Sequence, residues 1–260
     1  MTEVTNENYY NPEIEREYMT YSQFKGFLEC EAQQLAILEE RYAKPSSDAL
    51  VQGSYVDAHF SGEMEQFLKE HPEIFKKDGS LLAKFDVCQN AIKAIEEDEY
   101  LKENFYGGLH QEVLVCEIAG VPFKCKLDNL YPNDKIVDEK LLKDTDDVWD
   151  NQIRRYVPFW ENYKYHIQAA IYQEAVRQKT GLQLPYYLAV ATKTTPVEKH
   201  VYRFSQPILD KALELVKALA PKFQKIKNHE IEPEECGHCG YYHSTHKFNV
   251  FDIVEIKEDE

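Results

Sequence analysis

No stretch of this 260-residue chain approaches the roughly 20 consecutive apolar residues that a membrane-spanning helix needs. Its N-terminus, MTEVTNENYYNPEIERE, is acidic and lacks a basic-then-apolar leader, so nothing there marks the chain for secretion. No internal repeat is apparent. Cysteine is limited to six residues, which without an export signal predicts reduced core thiols or metal ligands rather than a disulfide framework. A reducing cytoplasm is the expected setting. Positive charge is also short: 30 Lys and Arg face 46 Asp and Glu, a net charge of −16, which argues against broad nucleic-acid binding until it is divided up. Residues 1–120 carry 24 acids and 10 bases, whereas residues 151–229 carry 5 acids and 13 bases. Fields are local once salt screens beyond about 10 Å, so a basic surface on an acidic protein is compatible with a DNA ligand.

What the chain does have is a globular composition, 43% hydrophobic and 13% aromatic, in a length that suits one substantial domain. Residues 1–19 are expected to form a flexible arm, 20–229 the domain, and 230–260 a Cys/His-containing tail packed on it. Helical spacing runs through TYSQFKGFLECEAQQLAILEERYA, with Thr20 or Ser22 as N-cap, and again from about Asp48 to Lys69, where Gly53 suggests close packing. A mostly charged helix, DVCQNAIKAIEEDEYLKEN, follows. The period then changes to alternation in EVLVCEIA, FKCKLDNLY and KIVDEKLLK. A long helix, WENYKYHIQAAIYQEAVRQKTG, ends at Gly181; two more strands and an amphipathic helix containing Pro221 complete the pattern. The order predicts an α+β fold with a mixed central sheet flanked by helices.

Chemistry concentrates in the hairpin FKCKLDNLYPNDKIVDEKLLKD. With the turn centred on Asn133, Asp128 opposes Asp138, and Lys140 returns to the face of Asp138 two residues on. Directly opposed residues have Cβ atoms about 5 Å apart, where like charges repel. A hard cation between the carboxylates removes the repulsion; Mg²⁺ takes one or two carboxylates and leaves room for phosphate oxygens. On this register Lys124 and Lys126 share the site face, while Phe123, Cys125, Leu127, Val137 and Leu141 fill the other. Glu139 falls on the apolar face, so either the strand ends there, a bulge intervenes, or Glu139 is the acid that matters.

At these residues the chain resembles the PD-(D/E)xK nuclease superfamily, and within it the RecB-like and exonuclease VIII-like exonucleases of phages and prophages. The superfamily motif, an acid on one strand and acid-x-Lys on the next, is matched by Asp128 and by Asp138-Glu139-Lys140. YSQFKGFLEC resembles the helix that opens many of these proteins, GSYVDAHF their Gly-x-x-x-His helix, and QAAIY their Gln-x-x-x-Tyr helix. The resemblance implies a restriction-endonuclease-like core and a Mg²⁺- or Mn²⁺-dependent nuclease acting on linear duplex DNA without sequence specificity, in phage-type recombination or repair. It assigns metal binding to Asp128 and Asp138, water activation to Lys140, and ordering of the site to Gln168 and Tyr172. Asp57 occupies the histidine position and His59 follows two residues later; the two lie about 200° apart around a helix, and Asp57 is preferred as the oxygen ligand. Glu112 is a further candidate for the acidic cluster. A homo-oligomeric ring and a single-strand annealing partner are also implied. Rival readings are an endonuclease or single-strand nuclease on the same core, and a non-catalytic DNA-binding protein with a structural zinc tail.

The tail, CGHCGYYHSTHKF, offers Cys236, Cys239, His243 and His246. Two Cys and two His suit Zn²⁺, although the Cys239-to-His243 gap is short for a zinc finger. In relatives this region and the early cysteine, here Cys30, hold an iron–sulfur cluster, which wants four thiolates. Here Tyr242 stands where a third tail cysteine is expected. An empty knuckle, zinc and an iron–sulfur cluster all stay open.

Overall fold

The computed structural model describes residues 3–45, 47–150, 153–248 and 250–255. Helices fill the first hundred residues: α1 (Pro12–Glu17), α2 (Tyr21–Glu29), α3 (Glu31–Leu38), α4 (Asp48–Ser61), α5 (Met64–Glu70), α6 (Asp86–Glu96) and α7 (Glu99–Phe105). They are shorter than the periodicity predicts, because residues within each apolar pattern leave the helical region. Cys30, extended at φ −165° and ψ 113°, separates α2 from α3, and Gly62, left-handed at φ 79°, ends α4. Thr20 caps α2 by accepting from the Gln23 N–H, which satisfies one of the helix's orphan donors. Gly53 is not at a close contact: a Cβ there would meet open space.

Next come β1 (Leu109–Ile118), β2 (Val121–Tyr131) and β3 (Lys135–Leu142), the expected meander. A separate two-stranded hairpin follows, β4 (Val148–Asp150) and β5 (Arg155–Val157), whose strands are too short for alternation to reveal. The remainder is α8 (Phe159–Asn162), α9 (Tyr165–Thr180), β6 (Tyr186–Thr192), β7 (Lys199–Arg203), α10 (Gln206–Lys227) and α11 (Gly240–Thr245). Lys164, at φ 63°, splits the single helix predicted over α8 and α9, whereas Pro221 sits inside α10 without ending it. The main sheet has the order β1-β2-β3-β6-β7. Only β3 and β6 run parallel, with α9 in the connection between them. One face packs Phe123, Cys125, Leu127, Ile136 and Leu188 against α9 and α10; the other packs Val137, Ala189 and Ala191 against α6 and α7. This is the α+β, restriction-endonuclease-like arrangement.

The N-terminal segment departs from expectation. Its described part is packed, not loose: Tyr9, Ile14, Tyr18 and Met19 are all buried. The cause is long-range. Lys124 on β2 is fully buried and needs a counter-ion, which Glu15 supplies at 2.6 Å while the Tyr9 carbonyl accepts a second hydrogen bond. Residues 1 and 2 lie outside the described residues, as do 249 and 256–260 of the tail.

Candidate active site

The site sits where two strands part. β2 and β3 pair through Asn129–Val137, Leu130–Ile136 and Tyr131–Lys135, the register centred on Asn133. Asn133 is left-handed at φ 64°, and the Asp134 N–H donates to the Tyr131 carbonyl at 3.0 Å, the pattern of a type II turn with Pro132 first. Beyond Val137 the ladder stops. β3 continues beside β6 to Leu142, while the freed edge of β2 is taken by Met19, bridged in parallel to Phe123. Asp128, Asp138 and Lys140 stand in the fork this leaves.

Each is held by named contacts. Asp128 Oδ2 accepts from the Glu139 backbone N–H at 2.9 Å. Asp138, 1% exposed, accepts from Gln168 Nε2 at 2.7 Å through Oδ1 and pairs with the Lys140 ammonium through Oδ2. Lys140 Nζ lies 3.9 Å from Asp128 Oδ2 and donates to the Glu139 carbonyl at 3.0 Å. Burial pushes the Asp138 carboxyl up to about 7, with Asp128 adding to it and Lys140 opposing. Burial works against the Lys140 ammonium, but the two carboxylates outweigh it and raise the lysine above its ordinary value. The Tyr165 ring lies 5.6 Å from Lys140 Nζ, a neighbour the motif did not signal.

Of the two other lysines expected on the site face, Lys126 stands beside Asp128 and Lys124 does not. Leu127 and Leu130, three apart, both pack toward the large core, so alternation breaks at Asp128–Asn129. Opposite the break, Gln111 on β1 is left-handed at φ 55°. Lys124 is therefore a buried structural cation, while Lys126 lines a cavity with Asp57 and Asp128. Glu139 is the awkward residue explained. Its carboxyl accepts from the Asn129 amide, and burial, with Asp128 behind it, holds it well above the usual carboxylate range.

Asp57 on α4 accepts from Gln111 Nε2 at 3.2 Å and is pushed up to about 7 by burial and then by Asp128. His59 turns away and meets Glu96 at 2.9 Å. Glu112, expected near the cluster, pairs in register with Leu127 and lines none of the cavities that reach Asp57 or Asp128; its neighbour Gln111 lines two of them. Tyr172, one turn beyond Gln168 on α9, is buried and lines the same cavity as Asp57 and Asp128.

The tail brings three thiols together. The sulfurs of Cys30, Cys236 and Cys239 lie within 4.8 Å of one another, with Cys30 and Cys239 at 3.7 Å. Burial raises the Cys236 thiol, but the His238 N–H and the two other thiols outweigh it and bring it down to about 7. The Tyr242 N–H donates to Cys239 Sγ at 3.3 Å. His243 and His246 do not join this group; His246 instead reaches Asp252 at 2.9 Å and stacks on Tyr242. The short gap after Cys239 is absorbed by α11, which carries both histidines past the thiols.

Comparison with known proteins follows the same lines. The family model of a PDDEXK-like domain of unknown function (DUF3799) matches residues 20–245. The chain is also similar to a crystal structure of a "putative exonuclease" from Eubacterium rectale, at 36% identity and a TM-score of 0.90, with 96% of each chain covered. No curated protein matches it.

Proposed function

The chain belongs to this family of PDDEXK-like domains, and from that premise we propose that it is a Mg²⁺- or Mn²⁺-dependent deoxyribonuclease, an exonuclease acting on linear duplex DNA. The observation that carries the reading is the convergence of Asp128, Asp138 and Lys140 in the fork between β2 and β3. The donor set fits a hard cation: two neighbouring carboxylates, one of them buried and raised above the usual carboxylate range chiefly by that burial. Asp128 and Asp138 would hold the ion, with Asp57 at the rim. When bound, it supplies Lewis-acid stabilisation of the charge that builds on the phosphate oxygens.

The chain's own residues then have distinct tasks. Gln168 fixes the Asp138 carboxylate, and the Glu139 N–H fixes that of Asp128. The Lys140 ammonium, anchored on the Glu139 carbonyl, faces the scissile phosphate and stabilises its developing charge. Water oxygen bonds to phosphorus, one P–O ester bond breaks, and the water's proton ends on the departing oxygen. Tyr172 closes the wall beside Asp128. The resemblance carries two further proposals: a ring of copies around DNA, and a single-strand annealing partner in phage-type recombination. The Cys30–Cys236–Cys239 group would staple the tail to the α2–α3 break; three thiolates and one outside ligand suit Zn²⁺, whereas an iron–sulfur cluster wants a fourth thiolate.

The test is to incubate the protein with end-labelled linear and circular duplex DNA, with Mg²⁺ or EDTA, beside Lys140→Ala. Metal-dependent loss of the linear substrate alone, absent in the variant, is expected. Cutting of the circle replaces the exonuclease with an endonuclease. Binding without cutting under every condition removes the enzymatic reading.

A further inference from the structure

Two cavities reach Asp57 and Asp128, and their chemistry differs. One, of about 540 Å³, sets four lysines, Lys25, Lys140, Lys143 and Lys193, against Asp57, Asp128 and Glu139, a balance suited to a polyanionic strand. The other, of about 610 Å³, mixes Lys44 and Lys126 with Glu15, Asp57 and Asp128, and adds Tyr10, Tyr21 and Tyr172. With two lysines where the first cavity has four, this one is the poorer match for a run of phosphates and the better match for a ligand with one phosphate and an aromatic body. The volume lies within the roughly 300–1,000 Å³ typical of small-ligand sites.

Gln34 makes the cavity specific. It lines the wall, is 6% exposed, and its carboxamide has no hydrogen-bond partner among the described residues. The amide opens to the cavity and offers both donors and an acceptor there, the complement of a nucleobase edge. The chain makes room for it. A Cβ at Gly26 would stand 1.8 Å from Gln34 Oε1, so the glycine inside α2 leaves the space that the amide occupies.

We propose that this cavity is a product subsite for a single deoxynucleotide, with Gln34 on the base edge, the tyrosines against the base, and Lys44 and Lys126 toward the phosphate. The uncut strand then occupies the lysine-lined cavity. This rests on the nuclease reading and adds to it a bounded place for the nucleotide released at each cut. Stacking on aromatic side chains tolerates every base, as an unspecific exonuclease requires.

Calorimetric binding of deoxyadenosine 5′-monophosphate, compared with inorganic phosphate, tests it without any cleavage. The nucleotide is expected to bind the wild type at least tenfold more tightly than phosphate. Gln34→Leu, and Ile37→Trp which fills the same cavity, should each weaken it at least tenfold with the melting temperature retained. Lys193→Met, across the site, should change it less than twofold. Equal binding of nucleotide and phosphate, or unchanged affinity in both cavity variants, overturns the subsite. So does loss confined to Lys193→Met. A protein that binds the nucleotide as expected but leaves DNA intact keeps the subsite and loses the nuclease reading; one that cuts DNA without such binding does the reverse.

Discussion

Asp138 and Glu139, adjacent on β3, are carried by strand alternation to different partners, Gln168 on α9 and Asn129 on β2. Asp138 stands with Asp128 and Lys140, where the proposed metal ion would call for a negative charge. Glu139 is buried against an amide and is pushed toward its neutral form, a state glutamine mimics. Glu139→Gln is therefore expected to keep cleavage within about threefold of wild type and to leave the melting temperature unchanged. Asp138→Asn, equally conservative in shape, should lower kcat by about 10²–10³-fold, the loss typical when one group aimed at transition-state charge is removed. Steady-state kinetics on linear DNA and a thermal melt separate the two. Asp128, Asp138 and Lys140 were legible in the sequence because a turn centred on Asn133 and period-2 geometry depend on local residues. Gln111 and the partner of Glu139 were not, because neither the left-handed backbone at Gln111 nor the break in alternation at Asp128–Asn129 opposite it has a local signal.

Among elements, the strands that form the fork were readable from alternation, and so was α9 with its left-handed Gly181. The N-terminal segment was misread as loose because its order comes from Lys124, more than a hundred residues away. That ion pair carries a directional prediction. Glu15→Ala leaves an ammonium buried without its counter-ion, and breaking such a pair costs about 3–5 kcal/mol. Urea unfolding of Glu15→Ala should show a loss of that order. Glu15→Leu combined with Lys124→Met, which replaces both partners by apolar groups, should recover most of it. If the single variant unfolds like wild type, the segment is not held by this pair. Because Tyr10 and Glu15 line the same cavity as Asp57 and Asp128, losing the segment should also weaken nucleotide binding.

At the scale of the molecule, the basic stretch 151–229 does not act as a block. Arg177, Lys199, Lys217 and Lys222 are engaged by Glu174, Asp98, Glu214 and Glu31, and Lys227 is turned inward to the Tyr18 carbonyl. Of the lysines beside the carboxylates, Lys193 in the loop after β6 belongs to that stretch, whereas Lys25, Lys140 and Lys143 come from α2, β3 and the loop after β3. DNA affinity, measured in EDTA so that nothing is cut, should fall linearly in log–log form with salt. Lys143→Ala, at the cavity beside Asp128, should reduce that slope by about one, whereas Lys217→Ala, on α10 and away from that cavity, should leave it unchanged.

The ends of the chain meet through the tail rather than through charge. Cys30 lies at the break between two early helices, and the tail is fixed beside it, the Glu234 N–H donating to the Glu31 carboxylate at 2.9 Å, before Cys236 and Cys239 reach Cys30. Three sulfurs brought this close from opposite ends make sense as ligands, with Cys236 already biased toward thiolate. Elemental analysis of protein purified without chelator should find about one zinc per chain. Removing it should lower the melting temperature, as should Cys239→Ser, because an ion bound only by the folded state stabilises that state. Cleavage measured well below the melting point should keep its dependence on Mg²⁺ after zinc removal, since the thiols are not among the groups lining the cavities at Asp128. Loss of cleavage together with zinc, in protein still folded by circular dichroism, would instead place the thiol site in the reaction.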